Sequence, residues 1–104
     1  MAFATLLGYP MLEFEWDLDK QTQNIEKHGV AFSDSEKSFH DPIGIRLFDK
    51  IHSLNEERFY WIGKDPNGRI ITTWFTMREN TIRIIGSAEL RKYKRIYYEN
   101  AKNA

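Results

Sequence analysis

From residue 12 to residue 16 apolar and acidic side chains alternate, so Leu12, Phe14 and Trp16 share one face of a short, half-buried strand. Asp17 follows directly and can accept from the free N–H groups of a helix start, while Gly29 can supply the left-handed residue that ends one, predicting a helix over 17–28. Ser33-Asp34-Ser35-Glu36 matches a capping box and predicts a second, short helix over 34–39, stopped by Asp41-Pro42. Residues 43–48 then read as a short strand and 49–57 as a polar loop. Three runs rich in β-branched and aromatic residues, 58–63, 69–77 and 81–86, predict three strands. Lys64-Asp65-Pro66-Asn67-Gly68 and Arg78-Glu79-Asn80 join them with turn formers, so antiparallel hairpins are expected. Over 88–102, Leu90, Tyr93, Ile96 and Tyr97 recur at helical spacing. The expected class is α+β: two N-terminal helices, an antiparallel β-meander sheet and a C-terminal helix, with one sheet face left partly open to a ligand.

Composition narrows the chemistry. A chain of 104 residues fits one domain, here residues 12–104, preceded by an apolar extension over 1–11 that includes Pro10. It has no cysteine, which excludes disulfide frameworks, thiolate metal sites and cysteine nucleophiles. No apolar run approaches the ~20 residues of a membrane span and no secretory leader is evident, so a soluble, cytoplasmic protein is expected, with no membrane partner. Fifteen basic and fifteen acidic residues cancel overall, but the two ends differ. Residues 1–77 carry a net charge of −4 and residues 78–104 a net charge of +4. The cluster Arg91-Lys92-Tyr93-Lys94-Arg95 can attract phosphates or an acidic partner, or serve only as a solvated helix face.

Two groups of residues can carry chemistry. Asn24, Lys27 and His28 lie at helical neighbour spacing, where one side chain could bridge the other two. Lys27 and His28 fall in the last helical turn, whose carbonyl end favours positive charge. They either complement that end or act as a phosphate ligand and a proton shuttle. The arginines of the strands form the second group: Arg58, Arg69, Arg78 and Arg83. If Ile82 and Ile84 fill the core, Arg83 must point to the opposite face, where a guanidinium can present forked donors to a phosphate. Tyr60, Trp61, Trp74 and Phe75 could stack on unpaired bases, although adjacent aromatics on a strand point opposite ways. His28, His40 and His52 lie apart from one another, no phosphate-binding glycine loop is present, and nothing resembles a serine nucleophile elbow. The reaction best suited to what remains is metal-independent RNA cleavage by the neighbouring 2′-hydroxyl, which needs a base, a proton donor and positive charge on the phosphorane.

An ordered set of residues resembles a known family. Phe14-Glu15-Trp16-Asp17, Lys20, Asn24, Lys27-His28-Gly29-Val30, Phe32, Asp41-Pro42, Glu57-Arg58-Phe59, Ile62-Gly63, Gly68-Arg69 and Ile82-Arg83-Ile84-Ile85 are similar to the BrnT toxins of bacterial type II toxin–antitoxin systems. The similarity runs from about residue 12 to residue 99. It implies a RelE-like α+β fold and a ribonuclease that blocks translation; from the residues themselves no cofactor or metal is expected. It also implies a BrnA-type antitoxin whose ribbon-helix-helix part binds operator DNA, the toxin reaching DNA only through that partner. The family's polar positions fall here on Lys27, His28, Arg58, Arg69 and Arg83. One region departs from the pattern. Many members follow the Ile-Ile pair with Ser-Ala-Arg and place a glutamate in the last helix, where this chain has Gly86-Ser87-Ala88-Glu89 and Lys94. A positive charge is therefore missing at Ala88, to be replaced by Arg91 or Lys92 or else lost with some activity. Two other functions fit the residues: a toxin-like partner or corepressor that no longer cleaves, and an RNA-binding module with neither role.

Overall fold

The computed structural model describes residues 13–91 as a five-stranded sheet with two helices on one face. In chain order the elements are β1 (Glu13–Glu15), α1 (Leu18–His28), α2 (Phe32–Ser38), β2 (Ile45–Phe48), β3 (Arg58–Lys64), β4 (Ile70–Arg78) and β5 (Thr81–Glu89). Strand order across the sheet is β1-β5-β4-β3-β2. The hairpins linking β2 to β5 are antiparallel as expected, but the sheet is mixed, because β1 pairs parallel with β5 through Phe14 opposite Ile82. The chain passes from β1 through α1, α2 and the meander before β5 comes to lie beside it, so the two strands meet pointing the same way.

Helix α1 begins and ends as its sequence signals require. The Asp17 carboxylate accepts from the Lys20 N–H at 3.1 Å, and Gly29 takes φ 67° while its N–H donates to the Ile25 carbonyl at 2.8 Å. Helix α2 starts earlier than expected and does not use the capping box: Ser33 and Glu36 lie inside it, and Ala31 is its N-cap. The reason is burial. Phe32 is fully buried, and the Gln21 side chain of α1 accepts from its backbone N–H at 3.1 Å, supplying the cap from another element. The C-terminal helix expected over 88–102 does not begin at residue 88, because Ala88 and Glu89 belong to β5; residues 1–12 and 92–104, where the expected extension and the rest of that expected helix fall, lie outside the described residues.

The core lies between the helices and the sheet. Phe32, Phe75, Ile82 and Ile84 are buried together, with Phe14, Trp16, Phe39, Phe59 and Trp61 packed around them. Each such side chain contributes about 1.5–3 kcal/mol by leaving water. Trp61 stacks on Phe39 at 5.0 Å and donates its indole N–H to the Ser38 carbonyl at 2.9 Å. Gly44 and Gly63 leave the space that this indole fills.

Asn24 also belongs to this interior and does not bridge Lys27 and His28. Its amide donates to the Val30 and Ser87 carbonyls, both at 2.9 Å, and its carbonyl oxygen accepts from the Ser87 N–H at 3.1 Å. Ser35 then donates to the Ser87 hydroxyl at 2.7 Å, so one buried polar network joins α1, α2 and β5. A primary amide matches this site because it can donate twice and accept once in a fixed plane.

Candidate nucleic-acid interface

Alternation along the strands builds the sheet face opposite the helices. Ile82 and Ile84 are buried, so Arg83 between them projects from the other side, and its side chain retains 28% exposure. Register then sets a row across four strands: Glu15 on β1, Arg83 on β5, Thr76 on β4 and Arg58 on β3. The next row on the same face is Gly86, Trp74, Tyr60 and Leu47. Tyr60 and Trp74 meet edge to face at 5.9 Å and stay half-buried, whereas Trp61 and Phe75 point into the core. Farther along this face Thr72 and Ile70 are buried, and Thr76 between the two arginines is buried as well, so what this row offers to solvent is the partly exposed side chains of Arg58, Arg83 and Glu15.

Arg58 and Arg83 flank Thr76, which places their backbones about 10 Å apart, two strand spacings. Side chains as long as arginine can converge from there on one phosphate or on neighbouring ones. Their present partners are loosely held. Arg83 Nη1 lies 3.4 Å from Glu15, while Arg58 and Arg78 each lie 3.9 Å from Glu56. Partly exposed pairs of this kind are worth about 0.2–1 kcal/mol, so an incoming phosphate can displace the carboxylates.

The other three predicted positions lie elsewhere. Lys27 and His28 are exposed in the last turn of α1. Arg69 precedes β4, seven residues before Thr76, or about 23 Å along the strand. It makes three contacts: Nε donates to Asp65 at 2.9 Å, Nη2 to Asp34 at 3.2 Å and Nη1 to the Gly29 carbonyl at 3.1 Å. Asp65 is fully buried and also accepts from the backbone N–H groups of Asn67 and Arg69. Arg69 thus ties the β3–β4 turn to the end of α1 and the start of α2. The structure brings Lys27, His28 and Arg69 to one corner and Arg58 and Arg83 to another face. Arg91, a candidate to replace the missing charge near Ala88, is exposed and pairs with Glu89 at 3.4 Å.

A carboxylate–imidazole pair appears beside the arginine row. His52 Nδ1 stands 2.7 Å from Asp49 Oδ2, and the His52 backbone N–H donates to Asp49 Oδ1 at 3.3 Å. Burial alone would raise the Asp49 carboxyl pKa, but hydrogen bonds from the His52 ring and backbone and from Tyr60 outweigh it and hold the pKa below the ordinary value. His52 lines a cleft of about 350 Å³ together with Arg58, Glu56, Asn55 and Leu54. A larger cleft of about 440 Å³, beside His40 and Lys64, contains none of the five predicted residues. The signal for the pair was an Asp and a His three apart in a polar loop, invisible when histidines are compared only with one another. Among the described residues no group of three or more His, Asp or Glu could hold a metal ion, and no helix is long and apolar enough to cross a membrane.

Comparison with known proteins agrees with this architecture. No curated protein matches the chain. The crystal structure of the ribonuclease toxin BrnT of Brucella abortus superimposes with a TM-score of 0.62 at 22% sequence identity, covering 79% of this chain and 100% of that one. A family model described as the ribonuclease toxin BrnT of type II toxin–antitoxin systems matches residues 16–93. With three quarters of its length matched by that family model, the chain belongs to the BrnT family of ribonuclease toxins.

Proposed function

We propose that this chain is an endoribonuclease that binds RNA across the arginine-bearing end of its sheet, cleaves it without a metal ion and so blocks translation. The observation that carries the reading is the row in which Arg58 and Arg83 flank Thr76 beside Tyr60 and Trp74. The two arginines bind the phosphate and stabilise the charge that develops on it, and the aromatic row stacks on neighbouring bases. Specific hydrogen-bond readout is not required for such binding, since every base offers a ring face. Arg69 acts through the fold, and Lys27 contributes long-range positive charge from the end of α1, where His28 is its neighbour. The partner is a BrnA-type antitoxin with a ribbon-helix-helix DNA-binding part, through which the complex reaches operator DNA in the bacterial cytoplasm.

Expression of the full chain in a bacterium lacking the antitoxin tests this reading. Growth arrest with loss of messenger RNA is expected, and co-expression of the antitoxin should restore growth. Arg83→Ala should relieve the arrest while the protein still accumulates folded. Normal growth at high levels of soluble wild-type chain would contradict the reading.

A further inference from the structure

We propose that His52 is the base that takes the 2′-hydroxyl proton during RNA cleavage, with Asp49 as its positioning residue. The inference rests on the reading of the sheet face as the RNA interface. Asp49 is a buried carboxylate held low in pKa, so in neutral solution it accepts and the ring Nδ1 donates. The His52 Nε2 lone pair is then left for the cleft, and the side chain is 59% exposed there. This arrangement fixes both the tautomer and the direction of the free nitrogen.

The loop that carries His52 is registered directly to Arg58. The Asp49 backbone N–H donates to the Arg58 carbonyl at 2.8 Å, Ser53 donates its hydroxyl to the Asp49 carbonyl at 2.6 Å, and that hydroxyl accepts from the Arg58 N–H at 2.8 Å. A phosphate gripped by Arg58 therefore lies beside the cleft into which His52 projects. The charged groups facing His52 there are Asp49, Glu56 and Arg58, with the Tyr60 hydroxyl bonded to Asp49 from β3. His28, in the last turn of α1, is exposed on the helix side of the sheet.

In the cleavage step Nε2 takes the proton of the 2′-hydroxyl as the O2′–P bond forms and the P–O5′ bond breaks, leaving a 2′,3′-cyclic phosphate. The departing O5′ receives a proton from water, and the imidazolium returns its proton to solvent, so charge and protons balance. Asp49 stabilises the imidazolium in between, and Arg58 and Arg83 balance the charge on the phosphorane.

The test uses the full chain with a fluorescent single-stranded RNA, alone and with ribosomes, and measures affinity separately on a 2′-O-methyl RNA that cannot be cleaved. His52→Gln should lower the cleavage rate constant by roughly 100-fold or more, with affinity unchanged within about twofold and the rising limb of the pH–rate profile abolished. Asp49→Asn should lower kcat without raising KM. Cleavage by His52→Gln within about threefold of wild type would overturn the inference and leave the ribonuclease reading intact, as would loss of affinity equal to the loss of rate. Wild-type chain that binds RNA but cleaves none, with or without ribosomes, would overturn both.

Discussion

Two arginines of similar appearance in the sequence have opposite relations to the fold. Arg69 holds a fully buried carboxylate, a second carboxylate and a helix-end carbonyl, whereas Arg83 holds one partly exposed carboxylate at 3.4 Å. Removing one partner of a buried pair leaves a charge without its counter-ion, here a carboxylate held only by two backbone N–H groups on its other oxygen, and removing an exposed one leaves a solvated group. Arg69→Ala should therefore lower unfolding free energy by roughly 3 kcal/mol in chemical denaturation, and Arg83→Ala by at most about 1 kcal/mol. Equal losses would show that Arg83 is also part of the scaffold. At this scale the sequence was uneven. Strand alternation foretold where Arg83 points, because its two isoleucine neighbours had to be buried. It could not foretell that Asn24 turns inward, because its partner Ser87 is 63 residues away.

Elements announce themselves best where a local rule and the core agree. Asp17 and Gly29 bound α1 because their backbone conformations serve that helix and nothing opposes them. At α2 the rule and the core disagree, and burial of Phe32 draws the helix start ahead of the capping box. Strand β5 outruns its expected end at residue 86 through a bulge: Phe75 faces Ile84 while Trp74 faces Gly86, so Ile85 is the extra residue. That shift returns Ser87 to the helix side, where Asn24 and Ser35 bind it. Space is the other constraint on elements. In β3 a methyl group on Gly63 would stand 2.5 Å from the Ser38 carbonyl oxygen and run into the Trp61 indole. Gly63→Ala should lower stability by roughly 2–3 kcal/mol and shift the tryptophan fluorescence, since the Trp61–Ser38 hydrogen bond must yield. A stability change below about 0.5 kcal/mol would contradict the close approach.

For the whole molecule, the α+β class and the hairpins could be read from pattern, but the mixed sheet could not. Period-two alternation in β1 says that Phe14 is buried and does not say beside which strand, and its partner Ile82 lies 68 residues on. The same limit hid the division of the candidate site, since spacing along the chain cannot reveal that Arg69 precedes the strand whose far end lies between Arg58 and Arg83. If RNA is held on the sheet face by Arg58 and Arg83, and not at the end of α1, the two groups must differ in what their loss does to binding. The affinity of the full chain for a 2′-O-methyl single-stranded RNA separates them when the double variant Arg58→Ala/Arg83→Ala is compared with Lys27→Ala/His28→Ala at one salt concentration. At least about tenfold weaker binding is expected for the first and a change within about threefold for the second. Loss of binding in the Lys27/His28 variant with the arginine variant unaffected would contradict that placement.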